Sequence, residues 1–317
     1  VRRIPEAMSA HLVPSALFAG GLFFGAHELY HWAHHGVADA DMLLLHKEPY
    51  LNLTRMGLFT FIAFVVWIAL AGWLTANSRL QDKTGDARLT RRNTYIAAAF
   101  MVLFALTFST VGIDFLMSID PHWFSTMWAV YLFAMLMQVG LAVITLSVVL
   151  LRRTRRLEGF VNDGHVHDLG KMTFAFTVFW AYIAFCQFLL IWYANLPEET
   201  IFFLDRFDDG WGYVSLALPI AKFIVPFLLL LPRKMKHAPA MLIPVCVWIV
   251  AMTAMEYYWI VMPSVTERGP SLPWMELLVF GGFLGVFLGA FGFALCRHAI
   301  VPIRDPRLQE AVRHHVL

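Results

Sequence analysis

The sequence predicts an all-α integral membrane bundle of eight transmembrane helices with both termini in the cytoplasm. Three observations carry that prediction. Of 317 residues, 59% are hydrophobic and 15% charged, against about 45–50% and about 25% in an ordinary soluble domain. Eight apolar stretches reach the roughly 20 residues a helix needs to cross a bilayer. The Lys and Arg residues between those stretches fall almost wholly on one side. This composition excludes a soluble enzyme, a disordered chain and a secreted disulfide scaffold, and a net charge of +2 carries no nucleic-acid footprint.

The first stretch, 13–33, ends in a histidine-rich segment. The next two, 57–76 and 95–117, flank a polar connection at 77–94. A short outer connection leads to 124–151, which runs into Arg152, Arg153, Arg155 and Arg156. After 171–195 comes 212–231, which carries Pro219 and Pro226; 240–262 and 274–297 complete the set before a cytoplasmic tail, 298–317. No stretch alternates with period two over ten residues, which disfavours a β-barrel. The longer connections, about 34–56, 77–94 and 152–170, are too short for a folded catalytic domain. Residues 1–317 therefore read as one bundle, with any chemistry inside it, at its rims or in partner subunits.

Orientation follows from the basic residues. Eighteen cluster at 2–3, 79–92, 152–156, 233–236 and 297–313, whereas Lys47, Arg55, Arg206 and Arg268 are alone on the opposite side. That opposite side is acidic, with Asp39, Asp41, Asp120, Glu198, Glu199 and Glu267 among its residues. Asp120, His122, Glu198 and Glu199 are expected there as outer-rim contacts, although a solvated loop surface explains the same pattern. The three cysteines, Cys186, Cys246 and Cys296, stand alone in apolar runs and read as small buried hydrophobes. With no CxxC or CxxCH, the chain has no motif of its own for an iron–sulfur cluster or a c-type haem.

Ionisable groups within spans are costly and need a partner or a role. Counting 1.5 Å per residue from the outer end of each helix puts Asp114 roughly 5 Å deep, Glu256 roughly 9 Å, His27 and Glu28 roughly 10 Å, Gln187 roughly 12 Å and Lys222 roughly 15 Å. Together with His31 they suggest a polar layer in the outer half of the membrane, while the inner half carries almost none. Lys222 sits between Pro219 and Pro226, which cannot donate to the carbonyls of Ser215 and Lys222. Such a setting, with Glu256 on the next antiparallel helix, suggests a proton-relay or quinone-headgroup site; a structural Lys–Glu pair is the alternative. Aromatic stripes such as Phe174, Phe176, Phe179, Trp180 and Tyr182 read as packing and interfacial belt.

His27-Glu28-Leu29-Tyr30-His31 spells HExxH, which on a helix puts both imidazoles on one face for a zinc ion. An intramembrane metalloprotease is therefore a rival, but no accompanying motif supplies a third ligand. The remaining histidines fall in loops or at helix ends, which argues against an internal b-type haem.

Several loop strings are more specific. Asp114-Phe-Leu-Met-Ser-Ile-Asp120-Pro121-His122-Trp123-Phe-Ser-Thr, His165-Val-His167-Asp168-Leu-Gly-Lys171, Asn195-Leu-Pro197-Glu198-Glu199 and Arg304-Asp305-Pro306-Arg307 occur in that order. Over nearly the whole chain this resembles the ActF-type membrane subunit of bacterial alternative complex III, a quinol:cytochrome c oxidoreductase. The resemblance implies a fold related to polysulfide-reductase-type quinol subunits and a homologous quinol-binding membrane partner. It also implies an iron–sulfur subunit and c-type cytochrome subunits that hold the redox centres. Members of that family resemble ten-helix proteins with two spans ahead of the stretch matching Val1-Arg-Arg-Ile-Pro-Glu-Ala, so the expectation is a chain starting at an internal residue or a short member.

The resulting expectation is a non-redox subunit of a respiratory or photosynthetic quinol:acceptor oxidoreductase in the bacterial cytoplasmic membrane. His27, Glu28, His31, Asp114, Gln187, Lys222 and Glu256 would form a proton pathway or quinol environment. Asp168 and Lys171 would mark its inner entrance, with helix N-capping as the other role for Asp168. A purely structural scaffold of the same complex is the second reading.

Overall fold

The computed structural model describes residues 1–34, 41–266, 269–271 and 274–313. Asp39, Glu267 and Arg268, expected at the outer rim, lie outside the described residues. The described residues hold eight helices long and apolar enough to cross a membrane: α1 (Arg3–Leu29), α3 (Leu53–Thr84), α4 (Arg88–Phe115), α5 (Trp128–Arg153), α6 (Asp163–Ala194), α8 (Trp211–Leu230), α10 (Pro239–Val265) and α11 (Trp274–Arg297). Shorter helices lie between or after them: α2 (Met42–Lys47), α7 (Pro197–Asp205), α9 (Arg233–His237) and α12 (Leu308–Val312).

Several helices run further than hydropathy alone indicates. The polar connection 77–94 is mostly helix, because its side chains pair across the α3–α4 hairpin instead of facing water. Asn77 Nδ2 donates to Asn93 Oδ1 at 2.9 Å and Gln81 Nε2 to Thr90 Oγ1 at 2.6 Å. Gly85, at φ 74°, ends α3 in the left-handed conformation that favours glycine. Helix α6 begins at Asp163, eight residues before the expected 171, because Asn162 and His165 form a reciprocal capping box. That assigns the N-cap to Asn162 and removes the capping role considered for Asp168.

The Arg-rich segments meet at one end of the bundle. Arg3 pairs with Glu6 at 2.8 Å and with Asp82, Arg2 reaches Asp305 at 2.7 Å, and Arg304 donates to the Lys83 carbonyl. At the opposite end, Lys47 donates to Pro121 O at 2.7 Å, Trp32 to Ser118 O at 2.9 Å and Trp123 to Glu199 O at 3.0 Å. Short α7 belongs to this second end, with Pro197 in its first turn followed by Glu198 and Glu199, where carboxylates suit the helix dipole.

Helix α5 is central, packing against α4, α6 and α10. One buried apolar cluster (Trp128, Met135, Trp180, Phe202, Trp259) lies toward the α7 end, and a second (Ala142, Val148, Val166, Leu169, Ile249) toward the Arg-rich end. The α4–α5 contact is close enough to need glycine: a Cβ on Gly112 would stand 2.6 Å from Leu132 Cδ1, while Gly112 O accepts from Trp128 Nε1 at 3.1 Å. Of the cysteines only Cys246 is buried, and Cys296 is exposed near the end of α11, which corrects the reading of all three as core.

Candidate functional site

The site is built where α5, α6, α8 and α10 meet. Pro219 and Pro226 interrupt the α-helical hydrogen bonding of α8, and the chain between them closes a π turn over Ile220–Ile224, with Val225 N–H donating to Ile220 O. Trp248 Nε1 of α10 donates to Ala221 O at 2.7 Å, satisfying a carbonyl at the turn. Lys222 sits within this turn and ion-pairs with Glu256 of α10; both side chains have 0% exposure.

Glu256 is held on several sides. Its Oε1 accepts from Tyr131 Oη of α5 and from Trp180 Nε1 of α6, the latter at 2.9 Å. The Trp180 ring also lies 4.7 Å from Lys222 Nζ, within cation–π range. The Glu256 carboxylate therefore meets two neutral donors and one ammonium. Losing either charge would strand the other, which typically costs about 3–5 kcal/mol. Trp180, read from sequence as packing, is thus a buried hydrogen-bond donor of the site.

Beside the pair lies a cavity of about 420 Å³ bounded by α6, α7 and α8. Tyr131 and Trp180 line it, together with Gln187, Phe202, Ser215 and Phe223. Phe185 and Leu216, also on its wall, are 59% and 63% exposed, so it opens on the apolar flank of the bundle. Gln187 is 4% exposed, and its Oε1 has no hydrogen-bond partner among the described residues. The two donors to Glu256, Tyr131 and Trp180, are thus also walls of the cavity.

A second buried cation, expected from sequence only as one of four basic residues on the outer side, braces this region. Arg206, 1% exposed, donates to Phe202 O at 2.7 Å, Trp259 O at 3.2 Å and Ile260 O, and lies 3.5 Å from the Phe202 ring centroid. Burial pulls its guanidinium down to about 9 while Asp120 and Asp205 act in the opposite direction, so it stays cationic at neutral pH. Ser215 Oγ donates to Arg206 O and accepts from Trp259 Nε1 at 2.8 Å, tying α7, α8 and α10 together.

The expected polar layer is only partly assembled. Lys222 and Glu256 meet, and Gln187 lines the neighbouring cavity without touching either. Asp114 is buried but committed to Arg55 of α3 at 2.5 Å, and Arg55 in turn stacks 3.6 Å from the Tyr50 ring centroid. His27, Glu28 and His31 are exposed instead of lining the site. Helix α1 stops at Leu29 and Tyr30 is extended (φ −104°, ψ 109°), so the HExxH residues do not share a helical face. His27 Nδ1 instead contacts Ala33 O at 2.9 Å. Among the described residues no group of three His, Cys, Asp or Glu side chains is placed to hold a metal.

Asp168 and Lys171 pair with each other at 2.6 Å, both partly exposed, near the Arg-rich end of α6. At the rim, His122 Nε2 meets Asp41 Oδ2 at 2.6 Å; Glu199 contributes its carbonyl to Trp123, Glu198 is exposed, and Asp120 O accepts from Trp123 N at 3.2 Å. The largest correction concerns the half of the bundle toward the Arg-rich end, which buries Thr145 and Thr173; Gln138, Thr177 and Thr253, also at least nine-tenths buried, lie near the middle of their helices. The trace of Gln138, Thr145 and Thr173 in the sequence is a seven-residue spacing, Tyr131–Gln138–Thr145 and Thr173–Trp180–Gln187, which keeps residues on nearly one helical face.

Neither protein-family models nor curated protein sequences give a match to this chain.

Proposed function

We propose that this chain is a non-redox integral membrane subunit of a quinol:electron-acceptor oxidoreductase of the alternative complex III type, and that Lys222 and Glu256 pass protons within it. The observation that carries the reading is that Tyr131 and Trp180 both hydrogen-bond Glu256 and line the adjoining cavity. A buried carboxylate with an ammonium beside it can take up and release a proton when its neighbours shift, because burial and charge set its affinity. The cavity supplies the second half of the proposal. It opens on the lipid-facing flank and is walled by aromatic rings, with Gln187 among its lining residues, as a quinol environment requires.

In this reading the redox centres, c-type haem and iron–sulfur clusters, belong to partner subunits, and a homologous quinol-binding membrane subunit stands beside this one. The assembly lies in a bacterial cytoplasmic membrane with the Arg-rich end inside. The test is purification of the tagged chain from native membranes under mild detergent. Co-migration of haem-bearing and iron–sulfur polypeptides supports the assignment; isolation of the chain free of any redox subunit contradicts it. In the purified assembly, Lys222→Met and Glu256→Gln should lower proton release per electron. Lost assembly with normal proton coupling in the residual complex would reduce the pair to a structural pin.

A further inference from the structure

The tail string Arg304-Asp305-Pro306-Arg307 has no part in the site at Glu256. It folds back onto the α3–α4 hairpin instead. Arg304 Nη1 donates to Lys83 O near the end of α3, and Asp305 Oδ2 accepts from Arg2 Nη1 at 2.7 Å. Asp305 Oδ1 accepts from Arg307 N at 2.9 Å, so one carboxylate both anchors the tail and fixes where Arg307 starts. Pro306 and Arg307 then form one wall of an open-sided hollow of about 450 Å³. The first two turns of α4 supply the other wall, with Thr90, Arg91, Thr94 and Tyr95.

Two guanidiniums from distant parts of the sequence thus line one hollow. Both residues are exposed, and among the described residues neither has an ion-pair partner. Asp82 and Asp305, on the same segments, are held by Arg3 and Arg2. The threonine hydroxyls are engaged within the protein: Thr94 donates to Thr90 O at 3.1 Å, and Thr90 Oγ1 accepts from Gln81 Nε2 at 2.6 Å. The hollow therefore offers donors without an anion. A bias of basic residues toward one end of the bundle explains their presence. It does not explain why the tail is tied down so as to bring Arg307 beside Arg91.

The level in the bilayer identifies the anion. Tyr95 is 70% exposed, Trp73 of α3 is exposed as well, and Arg92 lies 4.9 Å from the Trp73 ring centroid, as expected where headgroups meet acyl chains. Val102 and Leu106, seven and eleven residues beyond Tyr95, continue its face of α4 and are also exposed. A headgroup in the hollow has this bare apolar face beneath it for its chains, whereas a soluble anion has no use for it. A phosphodiester accepts from guanidinium groups in bidentate geometry, and basic pockets at a membrane face suit acidic lipids.

We propose that the hollow between α4 and the tail binds the phosphate of an anionic phospholipid from the leaflet at the Arg-rich end, clamped by Arg91 and Arg307.

The experiment uses the full chain, purified in mild detergent and stripped of lipid, then titrated with phosphatidylglycerol or phosphatidylcholine in mixed micelles. Native mass spectrometry reads the first lipid bound. The site predicts phosphatidylglycerol binding about tenfold or more tighter than phosphatidylcholine. The double variant Arg91→Gln/Arg307→Gln should weaken phosphatidylglycerol about tenfold or more, and the charge-matched Arg153→Gln/Arg156→Gln, on exposed residues at the same end, about twofold at most. Equal weakening by both pairs would mean that net charge alone attracts the lipid, which overturns the site. Asp305→Ala unties the tail and removes a negative charge; the clamp predicts weaker binding, general attraction predicts tighter binding and overturns it. Displacement of the lipid by inorganic phosphate at the same concentration would assign the hollow to a soluble anion and also overturn the proposal.

Discussion

Trp180 contacts both members of the buried pair at once: its Nε1 donates to Glu256 Oε1 at 2.9 Å while its ring lies 4.7 Å from Lys222 Nζ. One residue therefore sets where the carboxylate points and how the ammonium is screened. Trp180→Phe keeps a ring and removes the donor. We expect a loss of about 1–2 kcal/mol, read as a lower thermal midpoint in detergent, with a folded chain retained. An unchanged midpoint would mean that Tyr131 alone positions Glu256.

The pair itself should behave as a coupled unit. Lys222→Met and Glu256→Gln each leave one buried polar group without its partner, so each single variant should lose about 3–5 kcal/mol. The double variant removes both charges and should be more stable than the sum of the singles, with a coupling of about 2 kcal/mol or more. Strict additivity in a thermal or denaturant cycle would contradict direct pairing.

Gly112 lies directly under the Leu132 side chain, so a larger residue forces Leu132 to shift. Adding one methyl by Gly112→Ala brings a carbon to 2.6 Å from Leu132 Cδ1, and Trp128 is bonded to the same peptide. A cost of about 1–3 kcal/mol is expected from overpacking. Leu132→Ala in the same chain should recover part of it, whereas the same change in the wild type only destabilises. Absence of rescue would place the strain elsewhere.

The rim pair Asp41–His122 should give a pH signature. The His122 contact holds the Asp41 carboxyl below the usual carboxylate range, helped by the Leu43 N–H at 2.8 Å. A lowered folded-state value means the contribution is present above the ordinary Asp range and is lost as pH falls through it. The protection of the Leu43 and Leu44 amides, taken relative to their intrinsic exchange rates, should therefore fall below about pH 4, and Asp41→Asn should abolish that dependence. Protection independent of pH in the wild type would contradict the capping role.

Hydropathy and charge made the eight spans legible because lipid imposes length and composition on every crossing helix. Lys222 and Glu256 were legible for the same reason: a charge inside an apolar run has no cheap explanation. Depth alone, however, fixes one coordinate of three. Asp114 has a depth of the same order as Glu256, yet its helix α4 faces Arg55, and no count along the chain reveals that azimuth. The HExxH motif failed for a local reason, since its i, i+4 geometry assumes a helix that in fact ends at Leu29. Tyr131 and Trp180 were hidden by their surroundings, because in a chain that is 15% aromatic a ring that donates looks like one that packs. Gln138 and the threonines escaped because hydropathy averages absorb single neutral polar residues; a seven-residue spacing marks Gln138, Thr145 and Thr173 alone.

The most direct test of the proposed proton transfer at Glu256 is infrared difference spectroscopy on the assembly purified from native membranes, with quinol supplied to drive the proposed turnover. A carboxylic-acid band that rises and falls with turnover, and is missing in Glu256→Gln, is the predicted result. A difference spectrum in which every carboxyl band survives that substitution would show that Glu256 never changes protonation, contradicting the assignment.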